Sequence, residues 1–143
     1  MVRKITELEK VLIQKSKTPD RTRYFLDKAV KLGLENKYAE SIVCLDRVIR
    51  INPNIASAWH YKGTALNALG QFQEAIICLK KTIELHQNWC ETWNQKGIAY
   101  ANLQKYFEAI KCFDEAIRLD KDNQIVYAEN KARVIKEQEE NNV

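Results

Sequence analysis

A layout that returns at a fixed period constrains the fold of this chain more than any other feature of its sequence. Trp59 and Gly63 recur as Trp93 and Gly97, and a weaker copy of the same layout begins at Phe25, one period before Trp59. A fixed period of about 34 residues is typical of stacked-repeat proteins, in which each unit buries its apolar face on the next. We therefore expect three repeats, at residues 22–55, 56–89 and 90–123.

The composition favours long helices joined by short turns. Of 143 residues, 45% are hydrophobic, while only 4 are glycine and 2 are proline. No apolar run approaches the ~20 residues that a membrane helix needs, and the N-terminus lacks the apolar core of a signal peptide. The net charge of +4 is far from the basic stripe of a dedicated nucleic-acid binder. We expect a soluble, cytoplasmic protein without membrane or nucleic-acid partners.

Residues 1–21 are interpreted as an N-terminal amphipathic helix and linker. Ile5, Leu8 and Leu12 fall at helical spacing within residues 2–17, among charged residues. An amphipathic helix must bury its apolar stripe, and we expect this one to cap the first repeat. Two alternatives remain open: the helix fills the groove of the array, or it pairs with a second copy of the chain.

Each repeat is expected to form two helices in which a small residue faces a bulky one. Glycine inside a helix costs about 1 kcal/mol relative to alanine, so Gly63 and Gly97 need a packing reason. We expect each to leave a hollow that an aromatic side chain of the facing helix fills. Asn54 is placed to cap the helix that follows it. Turns within the repeats are expected at residues 33–36, 69–71 and 103–105.

Residues 124–143 are interpreted as a C-terminal capping helix and a frayed tail. The helix is expected over residues 124–138, and the terminal sequence EQEENNV is expected to fray. Lys131 stands where the small residue stood in the preceding repeats, which fits a terminal helix with one side facing water. The predicted apolar face contains Ile125, Ala128, Ala132 and Ile135.

The recurring motif resembles that of the tetratricopeptide repeat family. Trp-x-x-x-Gly-x-x-(Leu/Tyr) is followed by Gly-x-aromatic and then by Ala-x-x-x-(Leu/Phe), closely in residues 56–123 and more loosely in 22–55. The resemblance implies an all-α, right-handed solenoid of antiparallel helix pairs. It also implies an inner groove, lined by the first helix of each repeat, that binds segments of other proteins and performs no chemistry.

By the same resemblance, ten residues would line the inner surface and bind the partner. Most are neutral, and the amides among them can both donate and accept hydrogen bonds. Such a groove suits an extended peptide or an amphipathic helix of modest charge. Two readings stay open: some amides only cap or solvate, and His60 acts either as a pH-sensitive contact or as a plain hydrogen-bonding group. The ten residues are Leu26, Val30, His60, Tyr61, Thr64, Asn67, Asn94, Gln95, Ile98 and Asn102.

One subgroup of the family clamps the C-terminal carboxylate of chaperones with lysine, arginine and asparagine side chains. None of the aligned positions is cationic in this chain, and the carboxylate at one of them would repel an acidic ligand. We therefore predict that the protein is not a chaperone-tail receptor. The aligned residues are Leu26, Val30, Tyr61, Glu91 and Gln95.

The cysteines are interpreted as structural free thiols rather than as metal ligands. Cys44, Cys78 and Cys112 are separated by the repeat period, so they occupy equivalent helix positions and cannot converge on one tetrahedral ion. Cys90 lies outside this register. Neither a cofactor motif nor a catalytic motif occurs.

We conclude from the sequence that the chain is a non-catalytic interaction module, with a scaffold or adaptor role. A self-assembling structural protein, through weak homo-oligomers, is one alternative. An RNA-binding helical repeat is another.

Overall fold

The computed structural model describes residues 20–143 as an array of α-helices. Seven helices and no strand occur within these residues, which confirms the predicted all-α solenoid. The helix predicted at residues 2–17, with its three alternative placements, lies outside the described residues. No helix of residues 20–143 has the length and apolar character needed to cross a bilayer. The helices are α1 Arg21–Leu34, α2 Tyr38–Ile51, α3 Ala56–Ala68, α4 Phe72–Leu85, α5 Cys90–Asn102, α6 Tyr106–Leu119 and α7 Gln124–Asn141.

The helices form two layers of different spacing. Each helix packs against the next one along the chain, and α1, α3, α5 and α7 also contact one another in that order. Within residues 20–143 no comparable contacts join α2, α4 and α6. Because the first helices stand closer together, they form the inner, concave layer, and the second helices form the outer layer.

The turns within the three pairs have the same backbone geometry. Asn36, Gly70 and Gln104 occupy equivalent positions in the left-handed region, with φ of 60°, 76° and 58°. Each of these residues lies two positions before the second helix of its pair begins. The left-handed conformation allows the backbone amide of the next residue to donate to a carbonyl of the first helix, as Lys105 N–H does to Tyr100 O at 2.9 Å. All three residues lie within the predicted turns. Only glycine adopts this conformation without steric cost.

The predicted hollows are present at both helical glycines. A Cβ added to Gly97 would lie 2.7 Å from Cε1 of Phe113, and one added to Gly63 would lie 2.7 Å from Cγ of Leu79. The expectation of an aromatic occupant is therefore right at Gly97 and wrong at Gly63, where leucine fills the space. In the first repeat, where Ala29 replaces glycine, Ser41 Oγ donates to the Ala29 carbonyl at 2.7 Å and joins α2 to α1.

The predicted cap at Asn54 is wrong. Asn54 donates its backbone N–H to Asn52 Oδ1 at 3.0 Å, so it forms part of a local turn. Ile55 occupies the N-cap position of α3 and provides no side-chain hydrogen bond.

The buried face of α7 differs from the predicted one. Tyr127 and Val134 are buried, whereas Ile125 is 73% exposed; Ala128 and Ala132 are exposed and Ile135 is partly exposed. Asn130 and Lys131 explain this orientation, because Asn130 Nδ2 donates to Asn94 Oδ1 at 3.0 Å and Lys131 Nζ lies 2.6 Å from Asp114 Oδ1. Lys131 thus faces the preceding helix rather than the outer side.

The C-terminal tail is helical for longer than predicted. Helix α7 continues to Asn141, where the sequence suggested a frayed end. Asn141 Nδ2 donates to the hydroxyl of Tyr106, at the start of α6. This contact ties the last turn of α7 to the third repeat.

Candidate functional site

The candidate site is the inner surface formed by α1, α3 and α5. All ten residues predicted to line it lie on these three helices. Their surroundings differ, because some border open space and others are buried between helices. Leu26, Val30, Tyr61, Thr64, Gln95 and Ile98 are partly exposed, and Asn102 is exposed.

An apolar recess opens between α1 and α3, with a volume of about 250 Å³. Val30 and Leu34 of α1 form one wall, and Tyr61 and Thr64 of α3 form the opposite wall. Leu34 is 81% exposed, so a large aliphatic side chain stands at the rim with little cover. The floor and remaining wall are formed by Ala29, Gly33, Tyr38, Ser41 and Ala65.

Three of the four wall residues, Val30, Tyr61 and Thr64, belong to the predicted set. The fourth, Leu34, does not. The sequence carried a signal for it, since Leu26, Val30 and Leu34 are spaced four residues apart and so share one helix face. Tyr38 was also missed, because it belongs to the second helix of its repeat.

Asn67 is used to connect two repeats. Its Nδ2 donates to both the backbone carbonyl and Oε1 of Gln95, at 2.9 and 3.1 Å. Asn67 Oδ1 is buried and has no hydrogen-bond partner among the described residues. The two amides predicted to face a ligand therefore hold α3 against α5.

His60 is buried between repeats rather than presented to solvent. It is 4% exposed, its ring stacks on Trp89 with centroids 4.1 Å apart, and its Nδ1 lies 2.9 Å from Thr92 Oγ1. Burial lowers the pKa of His60 to about 4. The imidazole is consequently neutral at pH 7 and joins α3 to the start of α5.

Asn94 has a similar role at the next junction. It is 8% exposed, and its Oδ1 accepts the hydrogen bond from Asn130 described above. On the same helix, Asn102 Nδ2 donates to the Ile98 carbonyl at 2.9 Å. In this structure, therefore, the side chain of Asn94 connects α5 to α7, and that of Asn102 binds a backbone carbonyl near the end of α5.

Comparison with known proteins identifies the repeats. Family models described as "Tetratricopeptide repeat" match residues 44–77 and residues 90–123. The two matched segments are tetratricopeptide repeats.

Solved tetratricopeptide repeat domains have the same fold. The TPR2B domain of yeast Sti1, in a complex with an Hsp70 peptide, aligns with a TM-score of 0.80 at 17% identity, over 83% of this chain and 99% of that one. The first TPR of Spaghetti (RPAP3), bound to the HSP90 peptide SRMEEVD, gives 0.78 at 19% identity, over 83% and 94%.

The Sgt2 TPR domain from Aspergillus fumigatus gives a TM-score of 0.79 at 14% identity, over 87% of this chain and 83% of that one. At these identities the likeness concerns the fold. A search of curated protein sequences found no match.

A second hollow of the tetratricopeptide array lies between α5 and α7, with a volume of about 340 Å³. Asp120 lies in its lining and accepts hydrogen bonds from Asn123 Nδ2 at 2.8 Å and from the Tyr127 hydroxyl at 3.3 Å. The bonds from Asn123 and from the Asp122 amide lower the pKa of Asp120, while burial and the contact with Cys90 raise the pKa of Tyr127. Asp120 therefore organises the loop before α7.

The hollow between α5 and α7 carries no cation among its described lining residues. Glu91 lies in its lining and is exposed. It stands at one of the five positions aligned with the carboxylate clamp, and the other four hold leucine, valine, tyrosine and glutamine. This part of the inner surface would repel an acidic chain terminus.

The cysteines at the repeat period pack inside the tetratricopeptide array. Cys44, Cys78 and Cys112 are buried, and Cys90 is partly exposed. Burial raises the pKa of Cys78 and raises that of Cys112 to about 11. Both thiols are therefore protonated at neutral pH and behave as small apolar groups.

Proposed function

We propose that this protein is an adaptor that binds a segment of another protein on its inner surface and catalyses no reaction itself. The observation that carries the proposal is the apolar recess between α1 and α3. It is concave, it lies on the layer of first helices, and it leaves Leu34 exposed at its rim. Preformed concave sites bind ligands with little ordering cost to the protein.

The recess selects one apolar side chain of the partner. Its volume of about 250 Å³ is smaller than that of sites which enclose a whole drug-sized ligand, which run from about 300 to 1,000 Å³. Val30, Leu34 and Tyr61 would contact the inserted side chain, while Thr64 supplies a hydroxyl near the wall. An extended peptide or an amphipathic helix with a single large aliphatic or aromatic anchor fits these features.

The charge of the inner surface favours the binding of a partner segment that is neutral or basic. The Sti1 and RPAP3 domains are in complexes with Hsp70 and HSP90 peptides, and the RPAP3 peptide ends in EEVD. The present chain has no lysine or arginine at the five aligned positions and has Glu91 at one of them. Unpaired like charges cost binding energy and exclude the wrong partner, so we propose that this groove rejects acidic tails.

Peptide display against the immobilised full chain tests the proposal. Selected peptides should share one large apolar residue, and their affinity should fall at least tenfold for Leu34→Asp, since a carboxylate would face the bound apolar side chain. The control is Ile77→Asp, which places the same charge at a residue of α4 that is 66% exposed. Equal losses for both variants would contradict a site in the apolar recess.

The acidic peptide SRMEEVD is the second arm of the test. Fluorescence polarisation should detect no binding at concentrations where the selected peptides are saturated. Micromolar binding of this peptide that survives Leu34→Asp would overturn the proposed preference.

We also propose a cytoplasmic location. Four cysteines without a disulfide partner, three of them buried, suit a reducing compartment. Cell fractionation combined with thiol labelling of Cys90 checks this: the protein should be found in the cytosol with this thiol reduced.

A further inference from the structure

The junctions between repeats carry a recurring ion pair. At the first junction Lys62 Nζ of α3 lies 2.7 Å from Asp46 Oδ1 of α2. At the third, Lys131 Nζ of α7 lies 2.6 Å from Asp114 Oδ1 of α6. In both cases a lysine on a first helix meets an aspartate on the preceding second helix.

The middle junction breaks this pattern. Lys80 stands one repeat period after Asp46 and one before Asp114, and Lys96 stands one period after Lys62. Two ammonium groups therefore occupy the place where the neighbouring junctions have an ammonium and a carboxylate. In the described part of the chain, Lys96 forms no salt bridge.

Lys96 is held in place without a counter-charge. The residue is partly buried, and its Nζ lies over the ring of Trp93 at 4.9 Å and near the ring of Tyr100 at 5.8 Å from the centroid. Burial lowers the pKa of Lys96, and the positive charge of Lys80 lowers it further. An anion at this position would offset both effects, because it would restore the charge pairing of the other two junctions.

A cavity is present beside this lysine. A recess of about 360 Å³ lies between α5 and α6, and we call it the lysine recess. Lys111 also lines it, whereas Lys80 lies outside its lining, at the position equivalent to that of Asp46 beside Lys62. None of its lining residues belongs to the ten inner-surface residues. The lining is Trp93, Lys96, Tyr100, Glu108, Lys111, Cys112 and Glu115.

The two carboxylates in the lining do not neutralise the lysines. Glu115 is bound by Arg118, whose Nε and Nη2 donate to its two oxygens. Glu108 is exposed and forms no salt bridge among the described residues. The two lysines of the lining therefore stand beside one carboxylate that is not held by Arg118.

We propose that a phosphate-type dianion binds to Lys96 at the edge of the lysine recess, in the place between Lys96 and Lys80 where the neighbouring junctions have their ion pair. A dianion matches two converging ammonium groups better than the single carboxylate of the neighbouring junctions does. Trp93 and Tyr100 form the apolar side of the site. The site is separate from the proposed peptide groove, so either can fail without the other.

Thermal unfolding at fixed ionic strength tests the site. Replacement of chloride by inorganic phosphate should raise the Tm of the wild type by several degrees and should saturate. In Lys80→Asp the carboxylate would pair with Lys96. This variant should be more stable in chloride and should lose the saturable response to phosphate. Phosphate also stabilises proteins in general by exclusion from their surface, so the difference between variants is the measured quantity.

Lys81→Asp is the matched control. Lys81 is the next residue of α4 and, among the described residues, pairs only with Glu84, at 3.3 Å, so this variant makes the same change in charge outside the recess. It should keep the wild-type response to phosphate. Identical phosphate responses in all three proteins would overturn the proposal, and so would an acetate response equal to that of phosphate.

NMR titration locates the anion and distinguishes its sources. The indole N–H of Trp93 and the side chain of Lys96 should shift on addition of inorganic phosphate. A tripeptide with a central phosphoserine should give the same shifts if a phosphorylated partner is the source, whereas no response to the tripeptide would assign the site to free phosphate compounds. Shifts confined to other lysines in both titrations would contradict a site in the lysine recess.

Discussion

The ring of Phe113 occupies the space in which any side chain at Gly97 would have to lie. A Cβ at Gly97 would be 2.7 Å from Cε1 and 2.9 Å from Cδ1 of this ring, and Phe113 is fully buried. The two residues bring α5 and α6 into close packing. The equivalent contact of Gly63 with Leu79 packs α3 against α4 in the same way, so the relationship holds the two helices of a repeat together.

Gly97→Ala should therefore destabilise the protein in spite of the higher helix propensity of alanine. The steric conflict with Phe113 should outweigh a propensity gain of about 1 kcal/mol and leave a net loss of about 1–2 kcal/mol. Urea unfolding measures it. Gly33→Ala is the control, because its Cβ would meet only Ser41 Oγ at 3.9 Å. A loss at Gly33 equal to that at Gly97 would refute the packing explanation.

Gln104→Gly should stabilise the protein. Gln104 has φ of 58°, which glycine adopts without steric cost, so the expected gain in the free energy of unfolding is about 0.5–1 kcal/mol. The reverse change at the equivalent turn, Gly70→Ala, should cost a similar amount. Calorimetry of both variants measures the effect. A loss of stability in Gln104→Gly would show that its side chain makes a contact worth more than the strain.

Stability should fall as the pH falls from about 6.5 toward 4, with His60 as a principal cause. The folded-state pKa of His60 is about 4 against an ordinary value of 6.5, so the unfolded chain binds the proton more readily over this range. The contribution of His60 is complete above pH 6.5 and declines by up to about 3 kcal/mol at pH 4.

Unfolding measured between pH 7 and 4.5 tests this linkage. In His60→Phe the slope of stability against pH should flatten, because the ring can still pack on Trp89 but cannot take up a proton. If His60→Phe retains the full slope, other groups account for the acid sensitivity.

The orientation of α7 predicts unequal effects of two substitutions on the same helix. Val134→Ala should cost about 2 kcal/mol, since Val134 is fully buried. Ile125→Ala should cost less than about 0.5 kcal/mol, because Ile125 is largely exposed. Chemical unfolding of the two variants gives the comparison. A larger loss of stability in Ile125→Ala than in Val134→Ala would indicate that the apolar face of α7 predicted from the sequence is the buried one.

The sequence predicts the array well because the repeat period is a packing requirement. Gly63 returns as Gly97 and the three buried cysteines return once per repeat, so one explanation serves every copy. The positions of the left-handed turns can also be predicted from the sequence. At Gln104 it is the repeat period, rather than the residue type, that indicates the turn.

Features that depend on contacts between repeats could not be predicted from any one repeat. Tyr127 and Val134 are buried because Asn130 and Lys131 meet partners on the preceding helices, and this orientation turns Ile125 outward. For the same reason, His60, Asn67 and Asn94 were correctly placed on inner helices while their use between repeats was not anticipated.

The lining of the apolar recess was predicted only in part. Val30 and Tyr61 were assigned from the repeat position, but Leu34 was not, although its spacing from Leu26 and Val30 places it on the same helix face. The equivalence of Lys80 and Lys96 to an ion pair can be read from the repeat period only once the pairs Lys62–Asp46 and Lys131–Asp114 are known.

The most direct test of the account is NMR mapping of a display-selected peptide on the full chain. We expect the largest chemical-shift changes at Val30, Leu34 and Tyr61, with smaller changes along the inner side of α5. Changes concentrated on α2, α4 and α6, at residues such as Val43 and Ile77, would contradict the proposal that the inner surface is the working face of this protein.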